Sequence, residues 1–150
     1  MACGRAAGVF VAGVVFGAGI AAAISAEAAS AEGTVGYYTT AGIEYGNQSV
    51  IIAPENGYDG YAYSSVWTTD GDNVNAGWMG VLPRLYQSNG SFCAEPTDYT
   101  YTSTDGDGFS EGVYGSCGTA YAYHSYGVTK SWNGNGYNAE FTYVSPNVNS

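Results

Sequence analysis

The sequence predicts an all-β domain, an antiparallel β-sandwich of about eight strands, with a small barrel as the alternative. Three observations carry this. After the first thirty or so residues no stretch keeps an apolar period of 3.6. Short runs rich in Tyr, Thr and Val recur at a spacing of about ten residues. Clusters of Gly, Asn, Asp and Pro separate those runs, supplying the backbone conformations that turns require.

The chain opens differently. Arg5 precedes an apolar Ala/Gly-rich run over residues 6–24, and Ala29-Ser30-Ala31 follows as a small-x-small site. This is the pattern of an export signal helix, so residues 1–31 are expected to be a signal peptide and residues 32–150 a single domain. The competing expectation is an uncleaved anchor, because the run has nearly the length of a membrane span and carries Gly13-x-x-x-Gly17.

In the domain, residues 35–39 and 49–53 read as short strands, the second closed by Pro54-Glu55-Asn56-Gly57. Residues 58–69 form a longer strand. Its alternation places Tyr61, Tyr63 and Trp67 on one face and Gly60, Ala62, Ser64 and Val66 on the other. A turn at Asp70-Gly71-Asp72-Asn73 leads to a strand over 76–87, and Pro83 inside it implies a sheet edge or a bulge, since proline donates no ladder hydrogen bond. Segments 91–94 and 98–102 follow, then a loop at 104–108 and a short run at 113–115.

Residues 119–143 give the clearest pattern, a β-hairpin turning at Asn133-Gly134-Asn135-Gly136. In its second run Tyr137, Ala139, Phe141 and Tyr143 share one face and are expected to be the inside. In its first run Tyr121 and Tyr123 share a face opposite Ala122, His124 and Tyr126.

Charge narrows the function. Arg84 and Lys130 are the only basic side chains in residues 32–150, against twelve acidic ones, a net charge of 2 − 12 = −10. A nucleic acid or an anionic membrane needs a Lys/Arg surface, so neither is expected as a partner. Cys93 and Cys117 remain after signal removal, and in an exported chain two cysteines point to one disulfide.

No catalytic signature stands out. His124 is the sole histidine, and no Gly-x-Ser-x-Gly elbow is present. The loops Asp105-Gly106-Asp107-Gly108 and Asp70-Gly71-Asp72-Asn73 offer alternating carboxylates that suit calcium, but Phe109 and Val74 stand where a further oxygen ligand belongs, so no cofactor is expected.

Fifteen tyrosines and three tryptophans exceed what a core of this size needs, so some rings are expected at the surface. Tyr and Trp present an apolar face with a polar tip, suited to sugar rings and protein surfaces. The candidate binding residues are Tyr61, Tyr63, Trp67, Tyr121 and Tyr123, although aromatic cross-strand pairs also stabilise sheets for their own sake.

The run Tyr126-Gly127-Val128-Thr129-Lys130-Ser131-Trp132-Asn133-Gly134-Asn135-Gly136-Tyr137, the segment Phe141-Thr142-Tyr143-Val144-Ser145-Pro146-Asn147, the motif Gly77-Trp78-Met79-Gly80 and the spaced cysteine pair resemble small secreted proteins of unassigned activity from high-GC Gram-positive bacteria. The resemblance implies a secreted, disulfide-containing domain and no particular site residue. The expected function is a secreted, non-enzymatic module that binds carbohydrate or another extracellular surface. The alternatives are a small hydrolase using acidic residues or His124, and an inhibitor or toxin-like effector.

Overall fold

The alternation along residues 60–68 builds the centre of the molecule: Gly60, Ala62, Ser64, Val66 and Thr68 are buried, and Tyr61, Tyr63, Ser65 and Trp67 between them are half-exposed. The computed structural model describes residues 28–118 and 121–150, so the expected signal helix lies outside the described residues. Those residues contain no helix. The strands are β1 (Ala29–Glu32), β2 (Gly36–Thr40), β3 (Ile43–Ala53), β4 (Gly60–Thr68), β5 (Met79–Leu82), β6 (Leu85–Gln87), β7 (Phe92–Ala94), β8 (Thr100–Tyr101), β9 (Gly108–Gly115), β10 (Ala122–Ser125), β11 (Val128–Trp132), β12 (Tyr137–Phe141) and β13 (Val148–Asn149).

They form a sandwich-like fold of antiparallel sheets. One layer is a five-stranded sheet in the order β1-β3-β4-β9, with β2 also paired to β3. Since β4 occupies one edge of β3, β1 and β2 share the other, β1 against Val50–Ala53 and β2 against residues 43–47. The opposing layer consists of two four-stranded sheets, β12-β11-β5-β8 and β13-β10-β6-β7.

The second layer is divided where two strands break together. Pro83 and Arg84 separate β5 from β6, and Tyr126 and Gly127 separate β10 from β11, with Tyr126 N–H donating to Arg84 O at 3.1 Å between the breaks. Pro83 thus interrupts its strand as its missing N–H demands, but in the middle of the layer rather than at an edge. Gly127 is required there, because a Cβ would collide with Ser64 Oγ on the facing sheet.

The break divides the core as well. One apolar cluster holds Ile51, Ala53, Ala62, Leu85, Tyr123 and Val148, and the other Tyr45, Val66, Val74, Met79 and Val81. Polar side chains occupy the seam and satisfy backbone groups freed by the broken strands. Ser49 Oγ donates to Tyr143 O at 2.5 Å, with Ser125 O at 3.2 Å as the alternative acceptor, and Thr142 Oγ1 accepts from Gly127 N at 2.9 Å. Burial of such groups is tolerated only with partners of this kind.

The terminal hairpin forms only as β11 and β12, turning at residues 133–136 with Asn133 N–H bonded to Gly136 O at 3.0 Å; Ala122–Ser125 of the expected first run instead form β10, paired with β6 and β13. Its expected inside is corrected: Tyr137, Ala139, Phe141 and Tyr143 are all exposed. The register pairs Tyr137, Ala139 and Phe141 with Trp132, Lys130 and Val128, on the outer surface of the layer, and turns Asn138 toward Thr40 across the sandwich. Cys93 and Cys117 form the expected disulfide, with a Cα–Cα distance of 5.9 Å.

Candidate binding site

The outward stripe of β4 is flanked by glycines at several of its cross-strand positions. Tyr63 is opposite Gly112 and Trp67 opposite Gly108 on β9, while Trp67 is opposite Gly46 on β3. A Cβ at Gly112 would collide with the Tyr61 phenol, and one at Gly46 would lie 2.5 Å from Trp67 Cε2. The Tyr61 and Trp67 rings therefore lie against the bare backbone of the neighbouring strands.

Tyr61 is joined by further rings. Its centroid is 4.4 Å from that of Tyr114, its partner on β9, and 5.9 Å from that of Tyr63; Tyr58 lies 5.1 Å from Tyr114. A surface cavity of about 280 Å³ opens beside Tyr61 and Tyr63, with Ser110 and Glu111 completing its lining. The Ser65 and Ser110 hydroxyls are 2.7 Å apart on the same face. Burial raises the pKa of both Tyr61 and Tyr63; the neighbouring Tyr114 and Glu111 add to the first, and Glu32 to the second. Both phenols accordingly stay protonated at neutral pH, each able to donate and accept a hydrogen bond.

The structure unites Tyr61 and Tyr63 but separates the other candidates. Trp67 is half-exposed on the same face, at the opposite end of β4. Tyr121 is 41% exposed beside Gly118, outside the ring cluster of Tyr58, Tyr61, Tyr63 and Tyr114. Tyr123 is corrected from surface to core. It is fully buried against Leu85 and Ile51, and its hydroxyl donates to Gly118 O at 2.7 Å and lies 3.3 Å from Asp59 Oδ2.

His124 stacks on Tyr86 at 5.6 Å, and its Nδ1 lies 3.1 Å from Asn147 Oδ1, with an amide rather than a carboxylate orienting the ring. The two acidic loops are neighbours, bridged by Val74 and Gly106. Their carboxylates serve local backbone: Asp70 accepts from Asp72 N at 3.0 Å and Asp105 from Ala76 N at 2.9 Å. Among the described residues no three His, Cys, Asp or Glu side chains form a group that could hold a metal.

Sequence reasoning did not single out Tyr58, Tyr114, Ser110 or Glu111: Tyr58 lies in the turn before β4, and β9 was read only at its ends, as a loop to 108 and a short run over 113–115. It also missed a second aromatic surface on the outside of the opposing layer. There Tyr86 contacts Phe92, His124 and Tyr126, Tyr126 stacks on Phe141 at 5.5 Å, and Lys130 Nζ sits 3.7 Å above the Tyr99 ring.

In comparisons with known proteins the chain matches no family model, no curated protein and no solved structure. The disulfide is compatible with an extracellular protein, and no helix among the described residues is long and apolar enough to cross a membrane.

Proposed function

We propose that the protein is an exported, non-catalytic module that binds carbohydrate through the Tyr61–Tyr63–Tyr114 surface. The observation that carries this reading is the position of Tyr61 and Tyr63, half-exposed beside Gly112, with Ser110 and Glu111 lining the same cavity. A pyranose has one face of C–H groups and a rim of hydroxyls. The C–H face matches a flat aromatic ring, and the hydroxyls match the carboxylate, serine and phenol groups at its border. Glu111 and Glu32 near these phenols favour neutral or basic glycans over sulfated or carboxylated ones.

The test is retention on a panel of polysaccharides, followed by titration with the retained glycan. Tyr61→Ala and Tyr63→Ala are expected to weaken binding roughly tenfold each, since a lost ring contact of about 1.4 kcal/mol is one decade of affinity. Unchanged retention in both variants, or no retention on any glycan, overturns the proposal.

A further inference from the structure

On another side of the sandwich the edge strands β2 and β12 border a groove of about 120 Å³. Its aromatic walls include Tyr37 and Tyr143, respectively 66% and 59% exposed. Gly36 and Asn47 lie at its floor, and the Glu140 side chain is part of its lining.

Asn47 is the unusual member. It is 1% exposed, its Nδ2 donates to Thr129 Oγ1 at 3.0 Å, and its Oδ1 has no hydrogen-bond partner. A buried unpaired acceptor costs about 1–3 kcal/mol. That oxygen borders the space left by the missing side chain of Gly36: a Cβ there would lie 2.5 Å from Oδ1 and 3.5 Å from Tyr143 Cε2. The glycine thus lets the orphaned acceptor pack close to the β2 backbone, beside the Tyr143 ring.

Asn47 Oδ1 and the Glu140 carboxylate both accept hydrogen bonds, and no Lys, Arg or His lines the groove. Aromatic faces attract cations, and a carboxylate beside them adds charge of the right sign. We propose that this groove binds the protonated primary amine of an amino sugar. The ammonium N–H groups are directed to Glu140 and Asn47 Oδ1, and the sugar C–H face packs on Tyr37 and Tyr143. This site is separate from the Tyr61 surface and does not depend on the reading given to that surface.

The full-length chain, isotope-labelled, would be titrated at mildly acidic pH with glucosamine, N-acetylglucosamine, glucose and a blocked lysine amide. Amide resonances of Gly36, Glu140 and the Asn47 side chain report binding. Glucosamine is expected to shift them while glucose and N-acetylglucosamine, which lack the charge, do not. Glu140→Gln, at an exposed position, is expected to weaken the response about tenfold. Gly36→Ala is expected to abolish it by displacing Asn47 Oδ1, and Tyr61→Ala to leave it unchanged. Equal shifts with glucose, shifts with the lysine amide but not glucosamine, no shifts with any probe, or an unaltered response in Glu140→Gln would overturn the proposal.

Discussion

Tyr61 of β4 occupies the space above Gly112 of β9, so that the position of the ring depends on the absence of a side chain on the next strand. Gly112→Ala should therefore lift the ring and disturb the cavity beside it. The phenol end is free to swing toward solvent, so the stability cost should stay within about 1 kcal/mol, below that of overpacking a core. Glycan affinity should nonetheless fall as far as it does in Tyr61→Ala. Equal affinity in Gly112→Ala and the parent chain would show that the flat ring is not used.

The Cys93–Cys117 bridge closes a loop with a sequence separation of 24 and packs against the Leu85 and Tyr123 cluster. In the chain-entropy model its removal should cost about 3 kcal/mol. Denaturant unfolding of the oxidised chain and of a Cys93→Ser/Cys117→Ser variant would measure this difference. A change below about 1 kcal/mol would mean that the reduced unfolded chain is already constrained.

Alkaline pH should unfold the protein through its buried phenols. Burial is the leading cause that raises the pKa of Tyr38, Tyr45, Tyr61, Tyr63 and Tyr123 above 10.0, and for Tyr123 the Asp59 carboxylate adds to it. A raised folded-state pKa means that the native form holds the proton more tightly. The resulting stabilisation is complete below the unfolded value near 10 and is lost as pH rises through the folded values. Phenolate absorbance should show Tyr45 and Tyr123, both fully buried, ionising only together with unfolding; their ionisation in a chain that keeps its native fold would contradict this.

The start of the mature chain is also open to measurement. β1 pairs Ala29–Glu32 with Val50–Ala53, and Ala31 packs against the Ile51 and Tyr123 cluster. Processing after Ala31 would remove three of those four residues. Ala26-Glu27-Ala28 offers another small-x-small site, whose use leaves Ala29 first and β1 whole. Under the proposed export, N-terminal sequencing of the secreted chain should read Ala29. A start at Glu32 would show that β1 is absent from the mature sheet.

Much of the fold was legible because periodicity and turn residues agreed. β4 reads directly from the sequence, since its alternation between small and aromatic residues coincides with the buried and outer faces. The β2–β3 hairpin was not legible: Ala41 and Gly42 turn with φ of 51° and 83°, and alanine gives no signal of a positive φ. The first half of β3 was missed with it. β12 misled because an aromatic face was equated with an inside, whereas the register beside Lys130 turns that face outward.

The candidate site was half legible for the same physical reason. Alternation places Tyr61 and Tyr63 together within one strand, but Tyr114 and Ser110 join them only through the pairing of β4 with β9, a long-range choice that local pattern does not encode. Tyr123 shows the converse. Its alternation with Ala122 and His124 is correct, yet which side faces the core is settled by the fit against Leu85 and by hydrogen bonds to Gly118 and Asp59.

The paired interruptions at Pro83 and Gly127 give the second layer two separately ordered halves, each with its own apolar cluster behind it. The disulfide clamps only the half containing β6, β7 and β10. Reducing it should let that end breathe while the Met79 and Val81 end stays closed, so amide hydrogen exchange would divide along the seam. A two-ended motion of this kind makes the sheet that spans both clusters the common hinge plate of the molecule, with Tyr61 and Tyr63 over its disulfide end and Trp67 over the other.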